Sequence, residues 1–138
     1  PCRSLNIYIK RENVCQFVQD YTNITQDFLN EYGITLEDAQ QQWLSYVNDF
    51  EFDDVLVVSH GIHQDSILMK EHGFNIDYYE QWCTYNHSKW VLERDNNLTL
   101  SAVLEESGIL PVNEHNAYAD AISTLNVLSF LLKLEGDQ

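Results

Sequence analysis

The sequence predicts an α/β domain, and three observations carry that expectation. The run Val55-Leu56-Val57-Val58 is uninterrupted and rich in β-branched residues, as suits a strand buried on both faces of a sheet flanked by helices. Residues 5 to 10, Leu-Asn-Ile-Tyr-Ile-Lys, alternate apolar and polar side chains with period two, the mark of a half-buried strand from Leu5 to Lys10. Two further stretches carry apolar residues at helical spacing, one before the buried run and one at the end of the chain.

The elements follow in order. After a polar stretch, Thr35-Leu36-Glu37-Asp38 has the form of a capping box with Asp in place of Glu. Leu36, Ala39, Trp43, Leu44 and Val47 then recur at helical spacing, which predicts a long amphipathic helix from Leu36 to Asp49. The strand Val55 to Val58 ends in a loop at Ser59-His60-Gly61, and Gln64 to His72 reads as a helix stopped by Gly73. This order puts His60, His63 and Asp65 at the carboxyl end of a strand, where α/β proteins keep their sites. Phe74 to Asn97 is aromatic and polar without a clean period and reads as strand and loop pieces. Leu98, Leu100, Val103 and Leu104, closed by Gly108, predict a short helix. Asn116 to Leu134 predicts a long one with Ala117, Ala121, Leu125 and Leu128 on its apolar face.

A chain of 138 residues with 44% hydrophobic content fits a single domain over residues 1–138 with a real core. Its opening, PCRSLNIYIK, is not a signal peptide, and its apolar runs fall short of the ~20 residues that span a bilayer. The expectation is a soluble, cytoplasmic protein with no membrane partner. Cys2, Cys15 and Cys83 are odd in number and widely spaced, which predicts reduced, partly buried thiols and excludes a disulfide framework or a zinc ribbon. The formal charge of −15 opposes non-specific attraction to a polyanion. It is compatible with carboxylates that hold divalent cations, because a bound ion inverts the local sign of its site.

Chemistry concentrates at the final helix. Asp120 falls within the sector of Ala117, Ala121, Thr124 and Leu128, and a carboxylate turned toward a core needs a hydrogen bond, a cation or a metal. His115, five residues earlier, falls at or before the helix start, where a loop can swing it over Asp120. Taken segment by segment, the bland readings lead. His115 reads as a solvated residue near the cap, Asp120 as an ion-pair member, Asp65 as a first-turn acid favoured by capping and the helix dipole, and His60 and His63 as loop or core histidines. A zinc site from His60, His63, Cys83 and His87 is a minor alternative, since the H-x-x-H and C-x-x-x-H spacings could each bring two ligands together.

The whole string reverses those odds. The segment VLVVSHGIHQDSILMKEHG resembles the second exonuclease motif of the DEDDh (DnaQ-like, RNase T-like) 3′–5′ exonuclease family, a buried strand, a His-containing loop and an Asp opening a helix. HNAYADAISTLNVLSFLL resembles the third motif, a His followed after four residues by an Asp on a carboxy-terminal helix. DYTNITQDFLNEYGITLEDAQQQWLSYV resembles the family's T-G-I-T segment and the helix after it, with Asn23 in place of the glycine and able to keep its left-handed turn. LERDNNLTLSAVLEESGI resembles the stretch before the third motif, so the likeness covers nearly the whole chain in order.

The resemblance implies a ribonuclease H-like, three-layer α/β/α fold with a mixed β-sheet. It implies Asp65 as the second-motif metal-site carboxylate, Asp120 as the third-motif metal ligand and His115 as the general base. The implied reaction is stepwise hydrolysis of single-stranded DNA or RNA from its 3′ end with two Mg²⁺ or Mn²⁺ ions about 4 Å apart. The family's first motif, an Asp-x-Glu, should precede the strand Leu5 to Lys10, and Pro1 to Ser4 contain no carboxylate. The domain is therefore expected to be amino-terminally incomplete, lacking two carboxylates and about two strands. A completing amino-terminal segment, another chain or a homo-oligomer are the partners this leaves open. The alternative is a catalytically inactive module that binds nucleic acid or a protein partner.

Overall fold

The computed structural model describes residues 3–51, 55–110 and 115–137. Their backbone forms α1 (Gln16–Thr22), α2 (Gln26–Tyr32), α3 (Leu36–Val47), β1 (Leu56–Ser59), α4 (Ile62–Glu71), β2 (Glu80–Cys83), α5 (Thr84–Val91), α6 (Leu100–Ser107) and α7 (Ala117–Gly136). The α/β class is thus observed, with a strongly helical bias.

The sheet is smaller than the sequence led us to expect. Among the described residues it has two strands, β1 and β2, paired in parallel from Leu56↔Glu80 to Ser59↔Cys83. Parallel neighbours need a crossover, and α4 supplies it, making β1–α4–β2 a βαβ unit. Leu56 is exposed and the other β1 residues are half-buried, so the expectation of a strand buried on both faces is corrected: β2 is its one described neighbour. The expected strand from Leu5 to Lys10 is also corrected. It makes a single parallel bridge, Ile9↔Ile34, with Lys10 N–H donating to the Ile34 carbonyl at 2.7 Å and Ile34 N–H to that of Tyr8 at 2.8 Å. Pairing stops there because Thr35 already caps α3, its hydroxyl accepting from Asp38 N–H, so the partner segment has no extended length to offer.

Gly33 makes that bridge sterically feasible. A Cβ on it would lie 2.4 Å from the Leu29 carbonyl oxygen and 3.0 Å from the Lys10 Cα, both backbone atoms that cannot swing aside. Gly33→Ala is therefore expected to destabilise the chain by about 1–3 kcal/mol, read as a lower urea midpoint with an unchanged slope. An unshifted midpoint would show that the α2–α3 connection does not depend on this close approach.

Three helices were not foreseen. α1 and α2 have 7 residues each, about two turns, too short for a period to show in sequence. Each end is fixed locally instead: Asn23 ends α1 in a left-handed conformation (φ 56°), and the Thr25 hydroxyl accepts from Phe28 N–H to cap α2. The left-handed turn expected of Asn23 is observed. Between Phe74 and Asn97, where strand and loop pieces were expected, β2 is the strand, and α5 is a helix that was not foreseen. Its sequence, Thr-Tyr-Asn-His-Ser-Lys-Trp-Val, is poor in helix formers, and tertiary packing overrides that preference, with Thr84, Ser88 and Val91 buried.

The main core lies among the last three helices. Val91, Leu98, Val103, Leu104, Val127 and Leu131 form one buried cluster between α5, α6 and α7. The buried stripe of α7 is Ala119, Ser123, Thr124, Val127 and Leu131, not the expected Ala117, Ala121, Leu125 and Leu128. α7 is apolar nearly all round, so periodicity cannot select its inner face, and docking against α5 and α6 does. Cys15 is exposed rather than partly buried, Cys83 is half-buried, and both thiols are free, while Cys2 lies outside the described residues. No described helix is long and apolar enough to cross a membrane.

Candidate functional site

Two first-turn carboxylates meet at one cleft. β1 ends at Ser59, Gly61 turns the chain with φ 109°, and α4 opens with Asp65 in its first turn. The Ser59 hydroxyl donates to the Asp65 carboxylate, tying the otherwise exposed acid to the strand end. On the other wall, α7 opens with Asp120 in its first turn and half-buried. A cleft of about 420 Å³ lies between, lined by Asp65, Asp120 and Ser59 with the apolar side chains Val57, Val58, Ile62, Leu68, Met69, Ile76, Ala117 and Ala121, and Thr124.

This placement has a physical logic. Both acids occupy the first turn of a helix, where exposed N–H groups and the helix dipole favour negative charge.

His115 is held by three restraints just outside the cleft. Its backbone is left-handed, with φ 71°, which a non-glycine residue adopts only at a cost. Asn116 follows as the cap of α7, its side-chain oxygen accepting from Tyr118 N–H at 3.0 Å and Ala119 N–H at 3.3 Å. The exposed imidazole stacks on Tyr21, with ring centroids 3.8 Å apart and planes 27° apart. His115 is not among the residues lining the cleft, but Ala117, two positions on, is. The structure therefore brings Asp65 and Asp120 together and puts His115 at the amino-terminal end of the helix that carries Asp120.

His60 belongs to the scaffold, as its segment led us to expect. Its Nε2 lies 2.7 Å from the Leu98 carbonyl, which can only accept, so Nε2 carries the proton. Nδ1 then accepts from the Thr84 hydroxyl at 3.0 Å, and the neutral ring clasps the end of β1 to α5 and to the approach to α6. Burial lowers its pKa below the usual histidine value, outweighing the opposing pull of the Leu98 carbonyl. With both ring nitrogens occupied His60 is no zinc ligand. His87 Nε2 donates to the Glu135 carboxylate at 3.0 Å, tying α5 to α7. Among the described residues no three His, Cys, Asp or Glu side chains converge as a metal site, so the alternative zinc site is discarded.

A pH dependence follows from His60. The unfolded chain binds a proton near pH 6.5 and the folded chain only at lower pH, so stability is complete above 6.5 and declines as the pH falls below it. Thermal unfolding from pH 7.5 to 5 is expected to show this decline, and His60→Gln should start lower but fall less steeply. Parallel curves for the two proteins would remove His60 as the cause.

Ser59 and Tyr21 escaped the sequence reading. The first stood in plain view as a hydroxyl at a strand end six residues before Asp65. The second was hidden because α1 itself was, although Phe17 and Tyr21 are four apart, the spacing that puts two rings on one helix face. No protein-family model matches the chain, and no curated protein matches it.

The donor set decides which metal would fit. Mg²⁺ or Mn²⁺ is bound through one or two carboxylates, with water and substrate phosphate filling its remaining positions, and Asp65 and Asp120 are the two carboxylates that line the cleft. A two-ion centre needs more carboxylates than the described residues bring to the cleft.

Proposed function

We propose that this chain is the larger part of a DEDDh-like 3′–5′ exonuclease domain with a ribonuclease H-like fold, acting on single-stranded DNA or RNA. The observation that supports it is the shared cleft. Asp65 and Asp120, 55 positions apart, line one space at the end of a parallel strand and at the start of the terminal helix, the arrangement the second and third motifs would require.

The roles follow from chemistry. Asp65 and Asp120 would hold a divalent ion, which when bound neutralises charge on a scissile phosphate. Ser59 keeps the Asp65 carboxylate at the strand end through its hydrogen bond. His115 would take a proton from the attacking water at an imidazole nitrogen, a role histidine side chains serve in general-base catalysis. The apolar cleft walls would limit competing water. A complete two-ion centre would draw its other carboxylates from outside the described residues, in a preceding segment or a second chain.

The test is digestion of a 5′-labelled single-stranded oligonucleotide by the native protein that contains this chain. A ladder shortening by one nucleotide at a time, present with Mg²⁺ or Mn²⁺ and absent in EDTA, is the expected result. Activity undiminished by EDTA, or no hydrolysis at all, would overturn the proposal. The second outcome would favour an exonuclease-like module used only for binding, a reading to which the two-carboxylate donor set lends weight.

A further inference from the structure

We propose that Tyr21 is a positioning residue for His115, fixing the plane of the imidazole from across the gap between α1 and the start of α7. The catalytic part of this inference rests on the exonuclease reading above, whereas the structural part stands without it.

The two rings come from segments 94 positions apart and lie nearly face to face, 3.8 Å between centroids and 27° between planes. A face-on stack restrains the tilt of an imidazole and makes its contact through the π-surface, so the ring edge with its two nitrogens is not what the stack engages. That is the restraint a proton-accepting ring needs: fixed orientation without a competing hydrogen bond from the residue that fixes it. The backbone supplies the rest, since the left-handed His115 and the Asn116 cap determine where the Cβ sits, and the stack determines how the ring lies.

Tyr21 is itself held. Phe17, one helical turn earlier, also stacks on it, with centroids 5.8 Å apart and planes 17° apart. α1 ends one residue after Tyr21, at Thr22, and Asn23 redirects the chain in a left-handed turn, so Tyr21 sits at a fixed helix end. Tyr21 nevertheless keeps half of its surface in water, at 50% exposure. Core packing therefore does not explain why an aromatic ring stands there, and its removal leaves the main core between α5, α6 and α7 untouched.

The experiment compares Tyr21→Leu and Tyr21→Phe in the native protein by two readouts. Proton NMR of the His115 ring tests the stack without any reference to activity. Its carbon-bound protons should lie upfield in the unsubstituted protein and in Tyr21→Phe, and move downfield in Tyr21→Leu. Metal-dependent hydrolysis tests the role: Tyr21→Leu should lower kcat about tenfold or more with KM changed less than about twofold, and Tyr21→Phe should restore kcat. His115 resonances that stay put in Tyr21→Leu would overturn the inference alone. A raised KM with unchanged kcat would also overturn it, by making the ring a substrate contact. The expected NMR shifts in a protein without nuclease activity would overturn the exonuclease reading, and the catalytic role of Tyr21 with it, while leaving the stack in place.

Discussion

On the proposed exonuclease function, Asp120→Ala in the native protein is expected to lower metal-dependent hydrolysis by about three orders of magnitude, the largest effect any single substitution in this chain should have on that activity. A metal-ligating carboxylate contributes charge that nothing else on its wall of the cleft can replace. Ala117, Ala121 and Thr124 are its neighbours there, and none of them carries charge. Loss of a factor of ~10³ corresponds to about 4 kcal/mol of transition-state stabilisation, within the range that electrostatic contributions at such sites reach. The fold should survive the change. Asp120 is half-buried in the first turn of α7, and that helix is anchored further along by Val127 and Leu131. The loss of a favourable charge at a helix start costs about 0.3–1 kcal/mol, so circular dichroism should be unchanged and Tm should move by only a few degrees. Retention of more than a tenth of the activity would show that Asp120 is not a ligand. A variant that fails to fold would show that its carboxylate is structural, which Asp120→Asn, equal in shape, would then separate from a role in catalysis.

What the sequence made legible follows the physics of each signal. The Thr35 cap and the apolar spacing that follows it placed the start of α3 correctly at Leu36, because a side-chain cap is a local interaction with a local signature. The helix that ends before Gly73 and the short helix closed by Gly108 were legible from the glycines that follow them in left-handed conformations, and the long terminal helix from its apolar content. That Asp65 and Asp120 line one cleft has no local signal, since nothing near either residue ties position 65 to position 120. The sheet was misjudged because alternation reports that a segment can be a strand, whereas a strand forms only where a neighbour runs beside it. Among the described residues, Leu5 to Lys10 has such a neighbour at Ile34 alone. α5 was missed because its residues prefer other conformations and are held helical by burial of Thr84, Ser88 and Val91. The stack that holds His115 was missed because it pairs a residue on an unforeseen helix with one whose backbone conformation no residue-type preference predicts.

The inner face of α7 offers the sharpest test of packing against periodicity. Leu131→Ala is expected to destabilise the protein by about 3 kcal/mol and to lower Tm by on the order of 10 °C. Leu131 is fully buried, and the truncation would open a cavity among Val91, Leu98, Val103, Leu104 and Val127, side chains fixed on three different elements or their approaches. Those elements cannot close over the gap together without breaking contacts elsewhere, so the cavity persists and its cost adds to the lost transfer energy. Leu125→Ala is the matched control. It removes the same atoms from the same helix with the same change in helix propensity, yet Leu125 is 50% exposed and faces the groove beside Leu5, Ile7 and Trp43. Its cost should stay below about 1 kcal/mol. Sequence periodicity put Leu125 on the core face, so the two substitutions rank the two faces directly by urea unfolding. Equal losses would mean that the Leu125 side of α7 is as tightly packed as the side facing α5 and α6. A larger loss at Leu125 would reverse the observed orientation of the helix, and with it the side of α7 on which Asp120 meets the cleft.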